Sequence, residues 1–188
     1  MFSLPNLLSL FRIVSAPLLL LAAWYGRHGL FLLLFVAALV SDALDGFVAR
    51  RCGQVTDLGG RLDSWGDFVL YCAAPPAIWW LWPGVIRQEW EWVLLALASF
   101  YLPVAIGFLR FRKLTSYHTW GSKAAAVALG MATPLLLVGG PAWPFRLAIL
   151  ILALSATEEV AITLVLPRLQ DNLPSLRHAW RLRQEAGP

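Results

Sequence analysis

The sequence predicts an all-α integral membrane protein of six transmembrane helices. Apolar residues make up 59% of its 188 positions, with a mean hydropathy of +0.67. A soluble domain of this size is roughly half apolar, and here the excess is gathered into long blocks. Ten tryptophans accompany those blocks, as expected of a ring that favours the headgroup level.

A bilayer core needs about 20 apolar residues in a helix. Six stretches qualify: Leu7–Tyr25, Leu30–Arg50, Leu58–Trp82, Trp92–Phe111, Trp120–Val138 and Phe145–Leu166. Helix breakers fill the connections at Gly26–Gly29, Cys52–Asp57, Pro83–Glu91, Arg112–Thr119 and Gly139–Pro144. Residues 1–188 read as one membrane domain, of which about 167–188 form a cytoplasmic tail. No basic region precedes the first apolar run, so a cleaved signal peptide is not expected. Cys52 and Cys72 have neither metal-site nor disulfide spacing and read as free thiols.

Basic residues set the orientation. With a cytoplasmic N-terminus, one side collects Arg12, Arg50, Arg51, Arg61, Arg110, Arg112, Lys113, Lys123, Arg168, Arg177, Arg181 and Arg183. The other keeps Arg27, Arg87 and Arg146, a split of 12 to 3 among the 15 basic residues. Both termini are therefore expected in the cytoplasm. The net charge of +4 is a topology signal and gives no reason to expect nucleic-acid binding. Beyond Pro167, Leu169, Leu173, Leu176 and Trp180 recur among arginines. That pattern fits a short interfacial helix on anionic lipid, with a frayed basic tail as the alternative.

Five of the eleven acidic residues fall between Asp42 and Asp67, and four of these lie inside otherwise apolar helical stretches. Each costs on the order of 2.5–3.5 kcal/mol deep in a membrane helix, and together they repel. A bound cation would explain them. Asp42 and Asp45 share a face of the second helix, and Asp63 and Asp67 share a face of the third. A short loop makes the two helices antiparallel neighbours, so the pairs can converge in a polar, metal-binding cavity open to the cytoplasmic side. All-oxygen ligands suit Mg²⁺ or Mn²⁺. Four carboxylates suffice for two ions, which can stabilise the attacking and leaving oxygens of a displacement at phosphorus. Gly46, Ala49 and Gly59 clear space beside them, and Arg50 can neutralise a phosphate. Asp57, in the loop, reads as a helix N-cap. A divalent-cation transporter or channel is the rival reading, but the outer halves Leu30–Val40 and Val69–Trp82 offer an ion almost no polar path.

Read as a string, the segment is Asp42-x2-Asp45-Gly46-x2-Ala49-Arg50-x8-Gly59-x3-Asp63-x3-Asp67. It resembles the signature of the CDP-alcohol phosphatidyltransferases at all eight defined positions. The N-terminal Pro5-Asn6-x2-Ser9-x2-Arg12 resembles the family's usual start, with Ser9 where Thr is usual. The resemblance implies that Asp42, Asp45, Asp63 and Asp67 hold the metals and that Asp67 is the catalytic base. Asn6, Ser9, Arg12, Gly46, Ala49, Arg50 and Gly59 would bind the CDP-lipid. It implies transfer of a phosphatidyl group from CDP-diacylglycerol to a small alcohol, with release of CMP, by a homodimer among membrane lipids.

The acceptor site is expected at Arg110, His118 and Lys123, where cations suit a phosphorylated alcohol. Glycerol 3-phosphate is favoured, on small size and a general likeness to the bacterial phosphatidylglycerophosphate synthases of the family. An inositol phosphate comes next. His118 reads equally as a loop residue, and Arg112 and Lys113 read as topology-setting charge. One of Glu158 and Glu159 reads as a member of a structural ion pair with Lys123, Arg110 or Arg61, with acceptor binding as the alternative. His28 and His178 read as surface residues.

Overall fold

The computed structural model describes residues 4–52, 57–112, 117, 119–166, 173 and 175–185. Side chains are described throughout these except at 4–6, 43, 45–52, 57–58, 60–61, 63–64, 182–183 and 185. Eight helices occur among the described residues: α1 (Leu4–Trp24), α2 (His28–Cys52), α3 (Asp57–Leu81), α4 (Pro83–Gln88), α5 (Trp90–Phe111), α6 (Trp120–Leu137), α7 (Trp143–Val165) and α8 (Leu176–Glu185). The all-α expectation holds for these residues.

Leu7–Trp24 of α1, together with α5, α6 and α7, is long and apolar enough to cross a membrane. The other two expected spans form as the 25-residue helices α2 and α3, and the described apolar stretch of α2 is His28–Asp42. Pro83–Glu91, expected as a connection, instead holds the six residues of α4 and the first two of α5. Proline at the first helical position loses no hydrogen bond and has its φ already set, which explains the difference.

Two glycines end their helices in the same way. Gly26 (φ +65°) closes α1, with Gly26 N–H donating to Ala23 O and Arg27 N–H to Ala22 O. Gly139 (φ +88°) closes α6, with Gly139 N–H donating to Leu136 O and Gly140 N–H to Leu135 O. Both are Schellman closures, which need a residue free to adopt positive φ.

The chain divides into two compact units, Met1–Gln88 and Glu89–Pro188. In the first, α1 packs against both α2 and α3, which touch each other far less. The antiparallel α2–α3 neighbours expected from the short loop are therefore bridged by α1. Its buried stripe is Ser9, Arg12, Ser15, Ala16, Leu19, Ala22 and Ala23, at helical three- and four-residue spacing. Leu7, Leu10, Phe11, Val14, Leu18 and Leu21 are exposed on the same helix. Polar groups inside and large apolar ones outside are what a lipid solvent selects. Small residues are interspersed with large ones on the buried faces, with Ala73, Ala74 and Ala77 on α3 and Ala38 on α2. They allow the close backbone approach on which helix association in a membrane depends. At the far end of the unit, His28 is exposed, as expected, but it also ties two elements together: its Nε2 lies 2.9 Å from the Leu81 carbonyl oxygen.

In the second unit α7 is the hub, packed by α5, α6 and α8. At its start Arg146 donates two 2.8 Å hydrogen bonds to the buried Glu89. Midway, Thr119 caps α6 by accepting from Ser122 N–H, and its hydroxyl shares a 3.2 Å hydrogen bond with that of Ser155 on α7. Gly121 makes this approach possible, because a Cβ there would lie 3.1 Å from Ser155 Oγ. Ser155 is buried and already bonded, so it has little freedom to yield. Gly121→Ala is therefore expected to destabilise the protein by about 1 kcal/mol, as modest overpacking does. Gly29→Ala, which meets nothing within 4 Å, should be neutral or stabilising by helix propensity. Thermal unfolding in detergent, followed by near-ultraviolet circular dichroism, compares the two.

Candidate active site

Three helices of the first unit meet at one guanidinium. Arg12 lies fully buried on α1, although an uncompensated charge inside an apolar helix is expensive. Its Nη1 donates to Asp42 Oδ1 on α2 at 2.6 Å and to Asp67 Oδ1 on α3. Those two carboxylates remain about one-third and one-quarter exposed. Two like charges about 4 Å apart repel by roughly 4 kcal/mol at an effective dielectric near 20. A shared cation between them offsets that repulsion, and here the cation comes from the chain itself.

Arg12 reaches this position because α1 lies close to α3. Gly66, one residue before Asp67, is buried against it. A Cβ at Gly66 would lie 3.3 Å from the Ser9 carbonyl oxygen and 3.4 Å from Arg12 Cβ. Ser9 is itself buried beside Arg12. Sequence reading missed Gly66, which falls outside the string of matched positions. The available signal was a glycine in mid-helix next to a charged residue, a placement that implies a packing reason.

Asp42 and Asp67 are thus drawn together, and both remain within reach of solvent. Asp45 and Asp63 fall on α2 and α3, one helical turn away in sequence, but their side chains lie outside the described residues, as do those of Asn6, Gly46, Ala49 and Arg50. Gly59 is half-buried on α3. Among the described residues no three His, Cys, Asp or Glu side chains gather at one point.

The residues expected at the acceptor site belong to the second unit. Arg110 is exposed and donates to the Leu166 carbonyl oxygen at 3.1 Å. Lys123 is exposed, with its ammonium 5.5 Å from the Trp120 ring centroid, a cation–π distance. His118 lies outside the described residues. Of the partners expected for Glu158 or Glu159, Arg61 has its side chain outside the described residues. Glu158 Oε1 accepts the N–H of Leu176 at 3.0 Å, at the first turn of α8, where negative charge is favoured. Glu159 is half-buried on α7, and its backbone carbonyl accepts the hydroxyl hydrogen of Thr163 at 2.9 Å.

Residues 2–165 match the family model for CDP-alcohol phosphatidyltransferase, and the chain belongs to that family. Among its relatives is a cardiolipin synthase (CMP-forming) of Streptomyces coelicolor, 31% identical over 78% of this chain and 70% of that one. A probable phosphatidylglycerophosphate synthase of Mycobacterium tuberculosis is 26% identical over 90% of this chain and 83% of its own length. A CDP-diacylglycerol–glycerol-3-phosphate 3-phosphatidyltransferase of Pectobacterium atrosepticum is 37% identical, over 43% of this chain and 49% of that one. No solved structure matches significantly. Membership of a transferase family leaves the cation-transporter reading without support.

The Arg12 bridge yields a stability prediction. Arg12→Ala leaves Asp42 and Asp67 without their shared cation and should cost roughly 3 kcal/mol. That is the low end for breaking a buried pair, because the carboxylates keep some solvent. Asp42→Asn combined with Arg12→Ala should recover part of the loss, since one of the two negative charges is then gone. Unfolding temperatures of the single and double variants in one detergent give the coupling.

Proposed function

We propose that this protein is an integral enzyme of the bacterial cytoplasmic membrane that transfers a phosphatidyl group from CDP-diacylglycerol to the hydroxyl of glycerol 3-phosphate, releasing CMP. The observation that carries the reading is the convergence of Asp42 and Asp67, from two helices of a family transferase, on one positively charged point. Packing that draws two carboxylates together around a cation suits a site for divalent metal. Their oxygen-only chemistry fits Mg²⁺ or Mn²⁺. Asp42, Asp45, Asp63 and Asp67 would hold two such ions. When bound, the ions would neutralise the diphosphate of the CDP-lipid and stabilise the oxygens that attack and leave.

The chain's own residues do the rest. The Asp67 carboxylate takes the proton from the acceptor hydroxyl, for which it must lie within hydrogen-bond reach. The hydroxyl oxygen forms a bond to the phosphorus that carries the diacylglycerol. The bond from that phosphorus to the bridging oxygen breaks, and CMP departs with that oxygen. Gly46, Ala49 and Gly59 leave room for the nucleotide, while Asn6, Ser9, Arg50 and Arg12 bind or orient it. Arg110, His118 and Lys123 are the candidates for the acceptor phosphate. In this reading α1, α2, α3, α5, α6 and α7 all span the bilayer, both termini are cytoplasmic, and the working form is a homodimer.

Glycerol 3-phosphate is favoured because relatives carry that acceptor in their names. An inositol phosphate is the second choice. The cardiolipin synthase relative gives a lipid alcohol a place among the alternatives. The purified protein with CDP-diacylglycerol, Mg²⁺ and glycerol 3-phosphate is expected to release CMP, and Asp67→Asn should lower turnover by about 10²-fold or more while CDP-lipid still binds, in keeping with loss of a general base. Near-normal CMP release by that variant removes Asp67 from the mechanism. Release with an inositol phosphate or a lipid alcohol alone reassigns the acceptor.

A further inference from the structure

The C-terminal tail is a folded element with a fixed orientation. Leu173 and Ala179 are buried in one cluster with Tyr117, Ile162 and Leu166, and Phe111, Val165 and Leu176 pack against it. Glu158 holds the first turn of α8 through Leu176 N–H. The Tyr117 hydroxyl shares a 3.0 Å hydrogen bond with that of Thr163. The ends of α5 and α7 and the first turn of α8 therefore meet at one end of this unit. The tail is helical over Leu176–Glu185, and Leu169, expected on the same helix, lies outside the described residues. Trp180 is exposed, one helical turn on from Leu176 at the edge of the buried side.

What faces outward is consistent. Opposite the buried Ala179, the surface of α8 carries Arg177, Arg181 and Gln184, all exposed, with Trp180 exposed at the flank. At the same end, Arg110 and Arg112 are exposed at the close of α5. The carboxylate of Glu158 is engaged by the start of α8. Two helices able to cross a membrane, α5 and α7, finish here at Phe111 and Val165. Arg110 lies in the last turn of α5 and Arg112 directly follows it, where the end of a bilayer-spanning helix would meet the headgroups.

We propose that α8, with Arg177, Arg181 and Trp180 outward and joined by Arg110 and Arg112, is a docking surface for anionic phospholipid headgroups of the surrounding bilayer. Guanidinium groups pair with phosphate oxygens, a basic cluster is attracted to an anionic leaflet, and Trp settles at the interface. The apolar side of α8 is already used against α7, so what it offers the membrane is charge plus one indole. Arg177, Trp180 and Arg181, which carry this surface, have no part in the reaction proposed above, whereas Arg110 at its edge is also a candidate for the acceptor phosphate.

Hydrogen exchange of the full chain in nanodiscs tests this. Exchange across 176–185 is expected to slow when phosphatidylcholine discs also contain phosphatidylglycerol or phosphatidylserine, and to quicken again at high salt. Arg177→Gln with Arg181→Gln should remove the response, with exchange in anionic discs roughly tenfold faster than in the unaltered protein. Lysine at both positions should retain it, because a lipid surface reads charge. Equal exchange in neutral and anionic discs overturns the proposal, as does a response that survives the glutamine pair. A response lost with lysines assigns the arginines to a specific contact within the protein and also overturns it. Protection already complete in neutral discs, and lost when each disc holds a single copy, assigns the face to a second copy of the chain.

Discussion

The first unit is organised by one buried guanidinium. Arg12 sits where α1 meets both α2 and α3, and two carboxylates approach it from those helices. Neither charge sign would be stable there alone. A lone arginine in an apolar helix is costly, and two aspartates facing each other would drive their helices apart. The three groups make each other tolerable, and α1 consequently becomes the central helix. The limited direct contact between α2 and α3 has the same cause, since their facing charges need something positive between them. Gly66 adds the steric condition by letting α1 come near enough to supply it.

The second unit applies the same rule with weaker groups. Its hub, α7, is held by a carboxylate–guanidinium pair at its start, by hydroxyl contacts midway and by a folded-back amphipathic helix at its end. In each place polar groups face inward and are paired, while Leu147, Leu150, Leu154 and Leu164 remain exposed. In lipid the outward leucines cost nothing, and buried hydrogen bonds with close packing hold the helices together. Both units show this inversion of the usual soluble pattern, so the membrane reading draws on burial as well as hydropathy.

The family relationship and the local geometry support different parts of the functional reading. Membership of the phosphatidyltransferases gives the class of chemistry. The geometry shows how the folded chain accommodates concentrated negative charge before any ligand is considered. Arg12 accordingly has a second meaning. The resemblance assigned it to the CDP-lipid, whereas the packing engages it with Asp42 and Asp67. The two roles concern the same small region, because a group that neutralises carboxylates also stands next to whatever cation they attract.

Much was legible in the residues alone. Long apolar blocks required helices, because a backbone in lipid must satisfy its own hydrogen bonds. Spacings of three and four put Asp42 with Asp45 and Asp63 with Asp67 on common helix faces. The string Asp42 to Asp67 identified the family, since it combines fixed identities with fixed intervals. Periodicity is a property of one helix, however, and cannot say which helices touch. That Arg12 would turn toward aspartates thirty and fifty-five positions away, that α1 would be the centre, that Gly66 would matter and that Glu158 would cap a tail helix were decided by tertiary packing. Each depends on how helices pair in three dimensions, where buried charge selects its partner by proximity and the absence of a side chain sets how close two backbones can come.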